Sequence, residues 1–129
     1  MKFLLLAYGD EQKSAALSSA KMRTLGERCA AYDEELRKTG RVVGAGSLGW
    51  SSRAMRLKKG KLTVSDGPFS ETKEVVGGFV IIEAKDYDEA VEIARLHPAA
   101  RMGEELGWGI ELRAMEHCQL IQAVKSGRS

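Results

Sequence analysis

The sequence predicts an α+β fold in which one antiparallel sheet carries two helices on one of its faces. Short apolar runs of strand length alternate with two segments whose apolar residues recur at helical spacing. The order strand, helix, strand occurs twice, with a hairpin between the two units. Two right-handed units of this kind, side by side, form the ferredoxin-like arrangement βαβ(hairpin)βαβ.

The first unit begins with a strand and continues into an amphipathic helix. Residues 2–8 are a short Leu-rich run, which favours a buried central strand. Ser18 or Ser19 is placed to cap a helix over about residues 20–39, and Gly40 is placed to end it. The apolar residues that share one face of this helix are Met22, Leu25, Cys29, Tyr32 and Leu36.

A glycine-rich strand and a hairpin follow. Residues 41–49 predict a strand with glycines at Gly44, Gly46 and Gly49. Glycines at this density favour either tight packing of a helix on the sheet or a ligand lying against bare backbone. Residues 53–59 and 61–65 alternate apolar with polar or basic side chains about Lys59-Gly60, which predicts a hairpin with one apolar and one basic face.

The second unit repeats the first. Residues 77–84 predict a strand, and Asp86 is placed to cap a helix that runs to about Leu96. Glu89 stands at the reciprocal position of a capping box. Residues 108–115 alternate in the manner of a last strand.

The length of 129 residues favours one domain. We expect that domain to span residues 1–116 and residues 117–129 to form a C-terminal extension. Within the extension, residues 117–124 are expected to add a short strand or a turn. Residues 125–129 are polar and expected to fray.

Composition and charge exclude several classes of function. The 20 basic and 18 acidic residues nearly balance, which argues against a nucleic-acid or membrane partner. No segment approaches the roughly 20 apolar residues that span a bilayer. Cys29 and Cys118 are far apart and fit no metal spacing, so we expect reduced thiols, a cytoplasmic protein, and neither metal nor cofactor.

The predicted sheet has helices on one face only. Apolar side chains on its other face need cover, and a second copy of the chain is the obvious source. The sequence therefore predicts a homodimer whose two sheets meet face to face.

The candidate site centres on residues 65–79, a turn and charged loop between two predicted strands. Asp66 is either a turn former or a carboxylate that acts as a base at a pocket rim. Glu71 and Lys73 either form a solvated loop or point into a barrel mouth, where they would contact a substrate. Phe69 is either a packing plug or a substrate platform.

Three residues elsewhere complete the predicted site. His97 is either a helix C-terminal residue favoured by the dipole or a catalytic acid–base group. Arg113 shares a strand face with Glu111 and suits an anionic substrate unless the two pair with each other. Tyr8, at the end of the first strand, would add a phenolic donor.

The residues that carry a family resemblance follow one another along the chain. Asp66-Gly67-Pro68-Phe69 is followed by Glu71, Lys73-Glu74, Gly77-Gly78-Phe79 and Ile110-Glu111-Leu112-Arg113. In this order they resemble the DGPF family within the YCII-related group. The resemblance covers the chain from the first strand to Met115 and implies a dimeric α+β barrel.

The resemblance implies less about function. Related small enzymes act on lactone-like or chlorinated aromatic compounds, with a His and an Asp as the suspected catalytic pair. This chain has His97 and Asp66, but His97 matches no catalytic motif of the family. The first expectation is thus a homodimer that binds a small anionic organic molecule, with acid–base activity of the isomerase, lyase or hydrolase kind. The alternative, also implied by the family, is a non-catalytic module that acts with a partner such as an extracytoplasmic-function sigma factor. A third option is a monooxygenase of the same barrel type that needs no cofactor.

Overall fold

The structure, a computed structural model, describes residues 1–69 and 72–121. Within them the helices and strands follow in the order β1 (Lys2–Asp10), α1 (Glu11–Ala15), α2 (Ser19–Arg37), β2 (Val42–Ser47), β3 (Arg53–Lys58), β4 (Lys61–Asp66), β5 (Glu74–Glu83), α3 (Tyr87–Ala94) and β6 (Gly109–Ala114). Two 3₁₀ turns, Pro98–Ala100 and Glu104–Leu106, lie between α3 and β6.

The sheet confirms the predicted α+β class. Its four strands stand in the order β2-β5-β1-β6, and all neighbours are antiparallel. This is the ferredoxin-like order, because the strands of each strand–helix–strand unit are separated by a strand of the other unit. The hairpin of β3 and β4 forms its own two-stranded sheet between the units, as predicted.

The core lies between one face of the sheet and the two longer helices. The sheet contributes Phe3, Leu5, Val80 and Ile82, all buried. From the helices, α2 contributes Leu36, and α3 contributes Ala90, Ile93 and Ala94. Both helices thus pack on the same face, which confirms the predicted layering.

The opposite face of the sheet, here called the open face, carries an apolar stripe. Leu4 stands opposite Ile81 and Leu6 opposite Phe79, so these four side chains share that face. The core packing places α2 and α3 on the other face.

The glycines of β2 lie on the open face as well. Gly44 pairs with Ile81 and Gly46 with Phe79. A Cβ built on Gly46 would lie 2.6 Å from Cε1 of Phe79, so the aromatic ring lies directly over the glycine. The expectation that these glycines admit a helix onto the sheet is therefore wrong, because they face away from the helices.

The predicted caps form. The Ser18 hydroxyl oxygen accepts the Lys21 N–H at 3.1 Å, and an Asp86 carboxylate oxygen accepts the Glu89 N–H at 2.9 Å. Glu89 returns a bond one residue earlier than in a standard capping box, since its carboxylate accepts the N–H of Lys85.

Helix α3 is shorter than its sequence predicts. It ends at Ala94 rather than near Leu96. Pro98 explains the difference, because a proline four residues past Ala94 would clash with the Ala94 carbonyl if the helix continued. That carbonyl instead accepts the N–H of His97 at 3.0 Å. His97 therefore lies beyond the helix, not at its C-terminus as expected.

The predicted C-terminal strand or turn is described only as far as residue 121. Residues 117–121 contain neither helix nor strand, and the rest of that segment lies outside the described residues. Among the helices of the described ranges, none combines the length and the apolarity needed to cross a bilayer.

Candidate functional site

A cavity of about 530 Å³ lies between α2 and the core-facing side of the sheet. Small residues of the sheet line it, namely Ala7, Gly9, Ala45, Gly77 and Gly78. From α2 it is lined by Cys29, Ala30, Asp33 and Arg37. His97, Pro98 and Ala99, at the start of the first 3₁₀ turn, form a third side.

The packing of α2 explains why space remains beneath it. Of its 19 residues, Leu36, near the C-terminal end, is the one that is buried. The residues one and two turns earlier, Asp33 and Cys29, face small residues of the sheet across the cavity. The helix is therefore anchored at one end and forms a wall of the cavity over its middle.

Two indole rings lie next to Gly9 at another side of the cavity. A Cβ built on Gly9 would lie 3.3 Å from Cδ1 of Trp108 and 3.6 Å from Cη2 of Trp50. Gly103 faces the same Trp108 ring from the loop before β6, with a φ of +82° that favours glycine. These are the two tryptophans of the chain, and both line the cavity.

His97 is fixed through both its backbone and its ring. Its Nδ1 accepts the N–H of Ala99 at 3.0 Å and so caps the 3₁₀ turn that Pro98 begins. Burial lowers the pKa of His97, and the nearby Asp33 carboxylate opposes that effect more weakly. The side chain therefore favours its neutral form at neutral pH.

The α2 wall carries charges of both signs. Arg37 Nε donates to Asp33 Oδ2 at 2.8 Å, across one helical turn. Cys29 stands one turn before Asp33, and burial raises the pKa of its thiol. The wall thus presents an ion pair and a protonated thiol, and its formal charges offset each other.

Tyr8 is among the residues that line the cavity, but its side chain lies on the open face of the sheet, because it alternates in step with Leu4 and Leu6 along β1. Its hydroxyl donates to Glu111 Oε1 at 3.2 Å. Desolvation, and then the bond to Glu111, raise the pKa of Tyr8. Arg113, two residues further along β6, is exposed and stands on the open face opposite Leu4.

The predicted site residues do not come together. Tyr8 and His97 line the cavity, whereas Asp66, Phe69, Lys73 and Arg113 are absent from its lining. Glu71 lies outside the described residues. The cavity beneath α2 is thus a different place from the pocket expected beside the loop, and the loop pocket stays a prediction.

Asp66 stands at the base of the hairpin. Its side chain is 91% exposed, and Arg53 Nη1 lies 3.4 Å from its carboxylate. The adjacent Gly67 packs against Ser52, because a Cβ there would collide with the Ser52 hydroxyl. Asp66 therefore ends β4 rather than forming a turn, and the Gly67 N–H extends the strand ladder by donating to the Ser52 carbonyl at 3.2 Å.

Phe69 and Lys73 are also exposed. The Arg56 guanidinium lies 4.4 Å from the centroid of the Phe69 ring, a cation–π contact with the basic face of the hairpin. In the described structure Phe69 thus packs on its own hairpin.

Sequence reasoning missed the residues of the α2 wall and both tryptophans. Asp33 and Arg37 carry an i,i+4 spacing that reads as an ordinary surface ion pair. Their position over small residues of a distant strand is a tertiary feature. Among the described residues no group of three or more His, Cys, Asp or Glu side chains is arranged to hold a metal ion.

Comparison with known proteins identifies the family. The chain is 31% identical over 97 residues to an uncharacterised protein of Rhizobium meliloti (strain 1021), covering 74% of this chain and 78% of that one. A solved structure of 5-chloro-2-hydroxyhydroquinone dehydrochlorinase from Burkholderia phenoliruptrix AC1100, in complex with 2,5-dihydroxybenzoquinone, covers 92% of this chain and 96% of its own at 20% identity, with a TM-score of 0.44. The YCII-related domain matches residues 1–106, and the chain therefore belongs to the YCII-related family.

Proposed function

We propose that the protein binds a small organic molecule in the cavity beneath α2 and performs acid–base chemistry on it. The cavity itself carries this proposal. Its volume of about 530 Å³ falls in the range of small-molecule sites, roughly 300–1,000 Å³. It joins two indole rings to a few polar groups, including a histidine whose pKa is perturbed by burial.

The charges of the cavity restrict the ligand. Asp33 and Arg37 offset each other, and His97 favours its neutral form. Lys73 and Arg113, which we expected to hold an anion, are absent from the cavity lining. We therefore propose a ligand that is neutral or carries a single negative charge, with Arg37 as the cation available to meet it.

A thermal-shift screen tests whether a ligand binds in the cavity or at the loop that follows Asp66. Wild type, Ala45→Phe and Asp66→Asn are tested against small carboxylates, lactones and aromatic acids. Ala45 lines the cavity from β2, and a phenylalanine there occupies space while suiting a strand. We expect a ligand that stabilises wild type and Asp66→Asn but not Ala45→Phe. The reverse pattern would return the site to the loop.

We further propose that the functional unit is a homodimer formed through the open face. Leu4, Leu6, Phe79 and Ile81 form an apolar stripe there, and Val43 of β2 is 40% exposed. Light scattering on the purified protein should give twice the mass of the chain. Leu6→Glu should give the monomer mass, since it places a charge in the middle of the stripe.

A different surface supports a second candidate function. On the hairpin, Met55 stands opposite Val64 and Leu57 opposite Leu62, and all four are more than half exposed. An exposed apolar patch of this kind suits a docking partner. We keep as the alternative a non-catalytic module that binds a protein partner such as a sigma factor. Binding of a purified sigma factor that Leu57→Lys abolishes would favour it.

We propose the cytoplasm as the site of this function. Both cysteines are free thiols, Cys29 at the cavity and Cys118 after β6. Free thiols are typical of a reducing compartment.

A further inference from the structure

We propose that His97 acts as a fixed hydrogen-bond donor through its Nε2–H, and that the ligand of the cavity carries a carbonyl or similar acceptor oxygen against it. This inference rests on the proposed function, since it concerns the same cavity. It defines the class of ligand and assigns His97 the role of donor rather than of base.

The hydrogen bond at Nδ1 determines where the proton lies. The backbone N–H of Ala99 can only donate, and it points at His97 Nδ1 at a distance of 3.0 Å. The Nδ1 atom is therefore the acceptor and carries no proton. A neutral imidazole has one ring proton, so in His97 that proton is on Nε2.

The backbone holds the ring in this orientation. The N–H of His97 donates to the Ala94 carbonyl, and its own carbonyl accepts the N–H of Ala100, both at 3.0 Å. Pro98 restricts the residue before it to extended conformations, and His97 has a ψ of 141°. The N–H, the carbonyl and Nδ1 of His97 thus each form a hydrogen bond, and together these three bonds fix the orientation of the ring.

The Nε2 end of the ring is accessible. His97 lines the cavity, and within residues 1–69 and 72–121 no partner is recorded for its Nε2. Over the same residues no fully buried side-chain nitrogen or oxygen lacks a partner. The Nε2 atom therefore has accessible surface, and we place that surface at the cavity that His97 lines.

The groups around His97 favour the neutral form of its imidazole ring. A second proton would have to enter at Nδ1, where it would break the bond from Ala99. The charged groups on the facing wall are Asp33 and Arg37, whose charges offset each other, and Cys29 is a protonated thiol. A ring that keeps its Nε2 proton cannot accept another there, so any base in this cavity must be a different group. Asp33 is the carboxylate that lines it.

Two substitutions separate the donor from the cap. In His97→Asn the side-chain oxygen can take the place of Nδ1 and keep the Ala99 bond, since Asn is a good capping residue, but no donor reaches the Nε2 position. In His97→Gln the longer side chain can place an N–H near the Nε2 position, but the cap is lost. If His97 only caps the 3₁₀ turn, His97→Asn should bind the ligand better than His97→Gln. If His97 donates to the ligand, His97→Gln should bind it better than His97→Asn.

The test uses two compounds that differ in one oxygen. Phthalide is a flat bicyclic lactone, and phthalan is the same ring system without the carbonyl oxygen. Long-range ¹H–¹⁵N spectra of the full chain first show which ring nitrogen of His97 carries the proton, with His117→Gln to assign the two histidines. Titrations with both compounds then give dissociation constants for wild type and the two variants.

We expect the proton on Nε2, with phthalide bound about threefold to tenfold more tightly than phthalan. That preference should persist in His97→Gln and disappear in His97→Asn. A proton on Nδ1, or an equal preference in wild type and His97→Asn, would overturn the inference while the proposed function stands. If neither compound shifts the signals of the cavity residues, the proposed function loses support and this inference falls with it.

Discussion

Replacing Leu36 with alanine should loosen the wall of the cavity. Leu36 has no exposed surface, and over residues 19–37 no other residue of α2 is buried. Removing a fully buried leucine side chain costs about 2–5 kcal/mol, the sum of lost apolar transfer and of the cavity left behind. A domain of this size is stable by about 5–15 kcal/mol, so we expect Leu36→Ala to fold with much reduced stability.

Met22→Ala is the matched control on the same helix. Met22 is 49% exposed and lies four turns earlier, so its removal should cost under about 1 kcal/mol. Both changes replace a good helix former with alanine, which leaves burial as the main difference between them. Chemical denaturation gives the free energy of unfolding for both variants and for wild type.

Hydrogen exchange resolves where the stability is lost. If Leu36 holds α2 in place, the substitution Leu36→Ala should speed up amide exchange in α2. The increase over wild type should be larger for the amides of α2 than for those of β1 and β5. Ligand binding in the cavity should weaken in parallel. Equal costs for Leu36→Ala and Met22→Ala, or unchanged protection of α2, would refute the account of how this wall is held.

Three further predictions concern pH, the loop and two glycines. Burial lowers the pKa of His97 below 6.5 in the folded chain, so the unfolded chain binds the proton at a higher pH than the folded chain does. The free energy of unfolding should therefore decrease as the pH drops below about 6.5, and this decrease should be smaller in His97→Asn. Asp66→Asn should change the free energy of unfolding by under about 1 kcal/mol, since its ion pair is exposed. Gly103→Ala should lower the free energy of unfolding by at least about 1–2 kcal/mol, because Gly103 has a positive φ. Gly26→Ala should raise it by about 0.5–1 kcal/mol, because Gly26 lies within α2 and has open space beside it.

Each of these has a contrary outcome that denaturation curves can show. A pH profile of His97→Asn as steep as that of wild type would mean that other groups cause the acid loss, and His117→Asn is the control for an exposed histidine. A loss of several kcal/mol in Asp66→Asn would show that the carboxylate stabilises the base of the hairpin through more than its exposed pair with Arg53. If Gly103→Ala is neutral, the loop around it adapts more easily than its close contact with Trp108 implies.

The fold was predictable because its signals are local. The caps at Ser18 and Asp86 and the alternation in the hairpin are properties of neighbouring residues, and the structure confirms each of them. The family resemblance was equally local, since it depends on a run of motifs along the chain, and the family match bears it out. Assignment to the DGPF group within that family stays a prediction.

The cavity was not predictable, because it depends on where α2 lies relative to the sheet. By spacing alone, Cys29 belongs to the same apolar face as Leu36, but only Leu36 is buried. Trp50 and Trp108 are far apart in sequence, and both lie close to the backbone of Gly9. The loop after Asp66 predicted a site because it concentrates charges and glycines. However, the structure places Asp66 at the end of β4, paired with Arg53, so it neither forms a turn nor lines the cavity.

The most direct test of the central claim is a map of where a ligand binds. The first compound found in the thermal-shift screen is titrated into ¹⁵N-labelled protein, and the indole N–H signals of Trp50 and Trp108 are followed with the amides of Phe69 and Lys73. The account predicts that the indole signals move and saturate with the ligand while the loop amides stay in place. Movement of the loop amides with unchanged indole signals would contradict it and would place the site at the loop.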